Sequence, residues 1–154
     1  MFLRFRPLFA VAALALSLAA PAVAAGPPGL PPQPAVRPAW VPAGAMLLSP
    51  CVAGMGSHWA RVKDMPLGPI YGEYQGKAIF SEYMIDQKAF ARGDSWRDIL
   101  KPLPGYAVNH VDIEFVPYGH TGYPIPHYDV HAYYVPHSTH MAYCPNGEKM
   151  RMTK

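Results

Sequence analysis

The chain has 154 residues, of which 15% are charged, and a formal net charge of +3. So small an excess of positive charge argues against a surface that follows a phosphate backbone, and we expect no nucleic acid partner. The length suits one hydrophobic core of about a hundred residues and is too short for two domains of ordinary size.

The N-terminal residues have the charge order of a secretory signal peptide. Arg4 and Arg6 precede an apolar stretch over residues 7–20, and small residues follow at 22–25. The stretch is too short to cross about 30 Å of hydrocarbon as a helix, and the small residues suit a signal peptidase. We therefore predict a signal peptide over residues 1–25, export to the periplasm or the medium, and no membrane span after cleavage. An uncleaved N-terminal anchor is the alternative.

The rest of the chain divides by composition into a linker, one domain and a tail. Prolines recur through residues 26–45, which predicts an extended linker because proline fixes φ and removes backbone donors. We expect a single β-rich domain over residues 46–144 and a flexible tail over 145–154. Cys51 and Cys144 lie near the two ends of this domain, and a disulfide between them suits an oxidising compartment. The alternative, a pair of thiolate metal ligands, lacks the close spacing of zinc sites.

Hydrophobic patterning predicts four strands and one or two short helices. Residues 70–74 and 77–85 are compatible with strands and flank Gln75 and Gly76, a hairpin signal. Asp86 can cap a short helix over 87–91, and Ser95 can cap another turn over 96–100. Residues 108–116 and 127–135 alternate as strands do. The predicted fold class is mainly β (α+β), an antiparallel sheet or partial barrel.

Histidines and carboxylates mark the candidate metal ligands. Six of the seven histidines fall between residues 110 and 140, and His127, Asp129 and His131 alternate on one strand face. In an extended strand the first and last of these three lie about 13 Å apart, whereas neighbours two residues apart are separated by about 7 Å. We therefore expect one such neighbouring pair to bind a divalent ion, either zinc, copper or iron, together with ligands from elsewhere. Glu82 and His58 are the candidates for these, because a carboxylate that shares a face with apolar side chains is costly unless it is paired or ligating.

Other interpretations of the same residues remain open. A solvated sheet face explains His127, Asp129 and His131 as well, and it is the favoured interpretation of His110, Asp112 and Glu114. A hydrogen bond to a buried tyrosine is the alternative for Glu82. The C-terminal region offers a second possible copper site, whose ligands would be His137, His140, Met141, Met150 and Met152.

These residues are therefore compatible with three functions. The first is an exported domain that binds one divalent metal. The second is a metal-dependent enzyme of hydrolase or oxygenase type, in which the ion keeps an open position and Glu82 or Asp129 acts as general base. The third is a structural oligomer without metal. The sequence identifies no small-molecule ligand.

Three separated motifs resemble a family of small exported bacterial proteins of unknown function. They are C-x-x-x-M-G-x-H-W over residues 51–59, P-I-Y-G followed by G-K-x-I-F-x-E-Y-M over 69–84, and P-H-Y-D-V-H-x-Y over 126–133. The resemblance implies a β-rich fold like that of the family's structural prototype, a ring-forming protein from a thermophile. It also implies self-association as a homo-oligomer and carries no settled activity.

Overall fold

The computed structural model describes residues 29–149, so the predicted signal peptide and residues 150–154 lie outside the described part of the chain. Six strands and two short helices follow one another, together with a 3-10 turn at Val62–Asp64. They are β1 (Met46–Val52), β2 (Gly56–Ala60), β3 (Ile70–Tyr74), β4 (Lys77–Asp86), α1 (Gln87–Ala91), β5 (His110–Val116), β6 (His127–Tyr133) and α2 (His137–His140). No helix among residues 29–149 is long and apolar enough to cross a membrane.

The six strands form one antiparallel sheet in the order β1-β2-β3-β4-β6-β5. The sheet is open, with β1 and β5 at its edges, and does not close into a barrel. The predicted class, mainly β with an antiparallel sheet and short helices, is confirmed.

Local sequence explains the centre of the sheet. Gln75 and Gly76 both have positive φ, 51° and 80°, which matches the twist of the flanking strands β3 and β4. The Asp86 carboxylate accepts a hydrogen bond from the backbone N–H of Ala89 at 2.7 Å and so caps α1 as predicted.

The predicted helical turn over residues 96–100 does not form. Asp98 and Leu100 have φ values of 60° and 58°, in the left-handed region that interrupts a right-handed helix. The capping pattern at Ser95 was therefore misleading, and the chain runs irregularly from α1 to β5.

Cross-strand register places the polar side chains on one side of the sheet, here called the histidine face. Glu82 of β4 lies opposite His131 of β6, which lies opposite Asp112 of β5. The next row joins Met84, Asp129 and Glu114 in the same way. Because side chains alternate along each strand, the whole of both rows lies on one face.

Aromatic packing fills the gap between the histidines of this face. The ring of Phe80 lies over Gly72, where a Cβ would overlap it. Its centroid is 5.3 Å from that of His58 and 4.9 Å from that of His131. Residue 72 must therefore be glycine, because any side chain there would overlap the Phe80 ring. The Phe80 ring packs against both imidazoles.

Segments outside the central strands also pack on the sheet. Val41 and Ala45, from the predicted linker, are buried against Trp59, and the Gln33 side chain hydrogen-bonds with the backbone of Leu47. Part of the proline-rich segment therefore belongs to the folded structure.

The C-terminal segment is attached to the first strand of the sheet. Cys51 and Cys144 form a disulfide, as predicted, and their Cα atoms lie 5.8 Å apart. The backbone of Glu148 hydrogen-bonds with Cys51 and Ala53, so the first part of the predicted tail is held beside β1.

Candidate metal centre

Three strands bring His58, Glu82 and His131 together on the histidine face. Glu82 Oε2 lies 3.7 Å from His131 Nε2 and 4.0 Å from His58 Nε2. One potential ligand atom from each residue lies within 4.8 Å of the others. Glu82 and His131 are almost completely buried, and His58 is only slightly more exposed. The three side chains therefore surround a point where one cation would contact all of them.

Hydrogen bonds do not account for these buried polar atoms. Glu82 Oε2 and both ring nitrogens of His131 find no hydrogen-bond partner among residues 29–149. The distances of 3.7 and 4.0 Å are too long for hydrogen bonds. Buried polar atoms are normally paired, and a bound cation would pair the polar atoms of this group. The predicted alternative for Glu82, a hydrogen bond to a buried tyrosine, is not observed in the described part of the chain.

Neighbouring groups orient the two imidazoles. The His58 Nδ1 atom lies 2.8 Å from the hydroxyl oxygen of Ser49, which leaves Nε2 directed towards Glu82. The Nδ1 atom of His131 lies 3.7 Å from the Glu114 carboxylate, and its Nε2 atom faces Glu82. The hydrogen bond of His58 with Ser49 is typical of metal-bound histidines, because it fixes which nitrogen presents its lone pair, whereas the Glu114 carboxylate is too distant to hold the His131 ring.

Burial sets the protonation states of the group. Desolvation lowers the pKa of His58 to about 4, with a smaller contribution from His120, and that of His131 to about 3. Both rings are consequently neutral near pH 7 and can donate a lone pair to a metal. Burial also raises the pKa of Glu82 well above its usual range, and the Asp129 and Glu114 carboxylates raise it further. A bound cation would reverse this effect and stabilise the Glu82 carboxylate.

A second group, His120, His127 and Asp129, adjoins the first on the same face. The Nδ1 atom of His127 is 2.6 Å from the carbonyl oxygen of Ile125, and its Nε2 atom is 3.0 Å from Asp129 Oδ1. Burial raises the pKa of Asp129, an effect that the His127 and His120 rings oppose. The Nε2 atom of His127 and both carboxylate oxygens of Asp129 also find no hydrogen-bond partner among residues 29–149. This group is therefore a second candidate of the same kind, in which His127 and Asp129 additionally contact each other at 3.0 Å.

The five ligands predicted from sequence therefore divide between two groups. His58, Glu82 and His131 meet at one point, and His127 and Asp129 meet at another with His120. His127 and Asp129 are a neighbouring pair of the expected spacing, but the structure does not bring them to His58 and Glu82. His120 was not predicted; its only sequence signal is its position within the histidine-rich region.

A third group has His110, Asp112, His137 and His140 as potential ligands. His110 and Asp112 are only partly solvated, with side chains 22% and 30% exposed, because His137 and His140 of α2 lie against them. Glu114 is exposed, as the interpretation of a solvated face requires. Conversely, the apolar side chains of β5, Val111, Ile113 and Phe115, point to solvent.

A cleft of about 670 Å³ opens beside the first group. Its walls include His58 and Glu82 of the first group, His120 of the second group, and residues 29–31. A smaller cavity of about 260 Å³ near Tyr74 and Tyr143 is lined by neither histidine nor carboxylate. Of these two cavities, the larger cleft combines space for a small molecule with candidate metal ligands.

Comparison with known proteins supports the fold. The chain matches no protein-family model, and no curated protein matches its sequence. A hypothetical protein from Thermus thermophilus has a similar crystal structure, with a TM-score of 0.52 and 21% identity over 58% of this chain and 85% of that one. The chain thus shares a β-rich fold with an uncharacterised protein. At this identity the likeness concerns the fold alone, and the sequence motifs and export remain predictions.

Proposed function

We propose that the protein binds one divalent metal ion through His58, Glu82 and His131. The observation that carries this proposal is the convergence of three ligand atoms, two of which, Glu82 Oε2 and His131 Nε2, are buried and lack hydrogen bonds. Two neutral imidazoles and one carboxylate suit zinc, iron or copper, because all three ions accept nitrogen and oxygen ligands. The protein supplies three ligands, so a fourth position remains for water or for a molecule in the cleft.

Elemental analysis of the mature protein, purified without a histidine tag, tests this function. We expect about one equivalent of zinc, iron or copper at this site, and a metal-dependent rise in the melting temperature of the stripped protein. Glu82→Gln removes one ligand without changing the shape of the side chain and should abolish the part of this response that comes from this site.

Glu114→Gln is the matched control for that variant. The Glu114 side chain is 61% exposed and lies near His131 without contributing to the three-ligand group. We expect it to retain the metal with a slightly altered affinity. Equal loss from both variants, or no response of the wild type to any of the three ions, would remove the proposal.

The cleft favours a second function, that of a metal-dependent enzyme. His58 and Glu82 border both the metal group and the cleft, so an open coordination position would face space for a substrate. Three-ligand sites with an open position activate water in hydrolases, and sites with two histidines and one carboxylate activate oxygen in ferrous oxygenases. Asp129 lies one row away on the same face and is the remaining candidate for the general base.

An open coordination position can be tested before any substrate is known. Cobalt(II) replaces zinc in such sites, and its visible spectrum reports changes among its ligands. Azide should change this spectrum if a small anion can reach the ion from the cleft. An unchanged spectrum at saturating azide would favour the binding function over the enzymatic one.

We also propose that the protein is exported. The disulfide between Cys51 and Cys144 supports an oxidising compartment, where such bonds persist. Fractionation of cells that express the full chain should place the protein, shortened by about 25 residues, outside the cytoplasm. Retention of the full-length chain in the cytoplasm would contradict this proposal.

A further inference from the structure

The short helix α2 lies over one end of β5 and brings four potential ligands together. His110 and Asp112 are two residues apart on β5, and His137 and His140 are three residues apart on α2. Residues two apart on a strand share a face, and residues three apart on a helix share a side. The two elements therefore present two ligands each to the space between them.

The hydrogen bond of His140 fixes how its ring is presented. The Nδ1 atom of His140 donates to the carbonyl oxygen of Gly54 at 2.8 Å, because a carbonyl can only accept. In the neutral ring the Nε2 atom then carries a lone pair. This lone pair lies 3.1 Å from His137 Nδ1 and 4.0 Å from Asp112 Oδ2. A histidine whose other nitrogen is held by a backbone carbonyl is the usual arrangement of a metal-bound imidazole.

Hydrogen bonds within this group do not satisfy all of its polar atoms. His137 Nδ1 can donate to His140 Nε2, which accounts for one contact. His110 Nε2 is buried and still finds no hydrogen-bond partner within residues 29–149. It lies 3.7 Å from Asp112 Oδ2, beyond hydrogen-bonding distance. Asp112 Oδ2 is also 3.5 Å from His137 Nδ1, so this carboxylate oxygen faces all three rings.

We propose that His110, Asp112, His137 and His140 form a second metal site, of zinc type, separate from the first. Three imidazole nitrogens and one carboxylate oxygen, all within 4.8 Å of one another, provide the four ligands of a closed tetrahedral site. The three-ligand group borders the cleft, whereas none of these four residues lines it. The ion in this second site therefore has a structural role.

The site would attach the C-terminal segment to the edge of the sheet. Among the described strands, β5 is hydrogen-bonded only to β6, and no strand covers its other edge. Cys144 follows α2 closely and joins the same segment to β1 at the opposite edge of the sheet. Metal and disulfide together would hold the segment at both edges.

Zinc titration of the stripped, mature protein tests this second site. We expect two equivalents per chain for the wild type and one for the double variant Asp112→Asn/His137→Ala. The His137 side chain is 63% exposed and that of Asp112 is 30% exposed, so neither is part of the apolar core and this variant should fold. Glu114→Gln, the next position on the same face of β5, is the matched control and should keep both equivalents.

Variants of the first site separate the two proposals. Glu82→Gln should lose one equivalent and keep the other, and the combination with Asp112→Asn/His137→Ala should bind none. Zinc should also slow hydrogen exchange in residues 137–144 of the wild type and of Glu82→Gln, but not of the double variant. The second site would be overturned if the double variant still bound two equivalents of zinc. It would also be overturned if the wild type bound a single equivalent and Glu82→Gln removed it.

Discussion

Replacing Glu82 by glutamine should have opposite effects on the metal-free and the metal-bound protein. The carboxyl group is buried, and nearby Asp129 and Glu114 carboxylates raise its pKa further. Without a cation, the folded state therefore binds more protons at this group than the unfolded state above pH 4.5, and stability falls as the pH rises towards the folded pKa. Glutamine is neutral at every pH and avoids this cost. Metal-free Glu82→Gln should consequently be at least as stable as the metal-free wild type at pH 8.

In the presence of metal the order reverses. A ligand that binds only the folded state at 100 times its dissociation constant stabilises it by about 2.7 kcal/mol. For a domain of this size, this corresponds to a rise of roughly 10 °C in melting temperature. The variant has only His58 and His131 left at the site and should lose most of this rise.

Differential scanning calorimetry at pH 8, with a chelator or with excess zinc, measures both effects on the same samples. We expect the two melting temperatures to change order between the two conditions. If Glu82→Gln is several kcal/mol less stable than the wild type in the presence of chelator, then Glu82 stabilises the fold through contacts with the protein alone. An undiminished response to zinc would refute its role as a ligand.

Three further predictions concern acid, the disulfide and close packing. Because the pKa of His58 falls to about 4 and that of His131 to about 3 on folding, the unfolded state takes up more protons below pH 6.5. In metal-free Glu82→Gln, which lacks the opposing contribution of the Glu82 carboxyl, stability should therefore fall as the pH drops from 6.5 to 4, by about 3 kcal/mol from His58 alone, and urea titrations that show no such slope would contradict the burial of these rings. The double variant Cys51→Ser/Cys144→Ser should lose about 4–5 kcal/mol in urea unfolding, since the bond closes a loop of 93 residues, and a loss below about 1 kcal/mol would contradict a stabilising bridge. Gly72→Ala should displace the aromatic ring above it and weaken zinc binding, whereas wild-type affinity would show that this ring does not position the imidazoles.

Local sequence signals were sufficient for the centre of the sheet. Gly76 predicts the hairpin because glycine adopts a positive φ without strain, and the preceding Gln75 also has a positive φ in the structure. The period of two along β4 placed Glu82 among apolar neighbours, and the structure buries it there. These features depend on residues close in sequence, which is why patterning alone identified them.

The polar groups at the edge of the sheet depend on contacts that the pattern does not contain. On β5 the alternation of polar and apolar residues is clear, yet the apolar side is exposed and Ile113 is 67% accessible. The polar side is partly covered at one end because α2, a helix of four residues, lies against His110 and Asp112. A helix this short has no detectable period, and the direction of its approach is set by distant contacts such as that of His140 with Gly54.

The register between β4 and β6 determines whether the proposed metal ligands meet. A shift of one residue between β4 and β6 would turn Glu82 away from His131 and bring Ser81 or Tyr83 into its place. The observed register carries a penalty, since it buries a carboxylate beside neutral imidazoles without hydrogen bonds. A cation between Glu82 and His131 removes this penalty only in the observed register. Metal binding should therefore stabilise the strand pairing as well as the site, and hydrogen exchange along β4 and β6 should slow together when zinc is added.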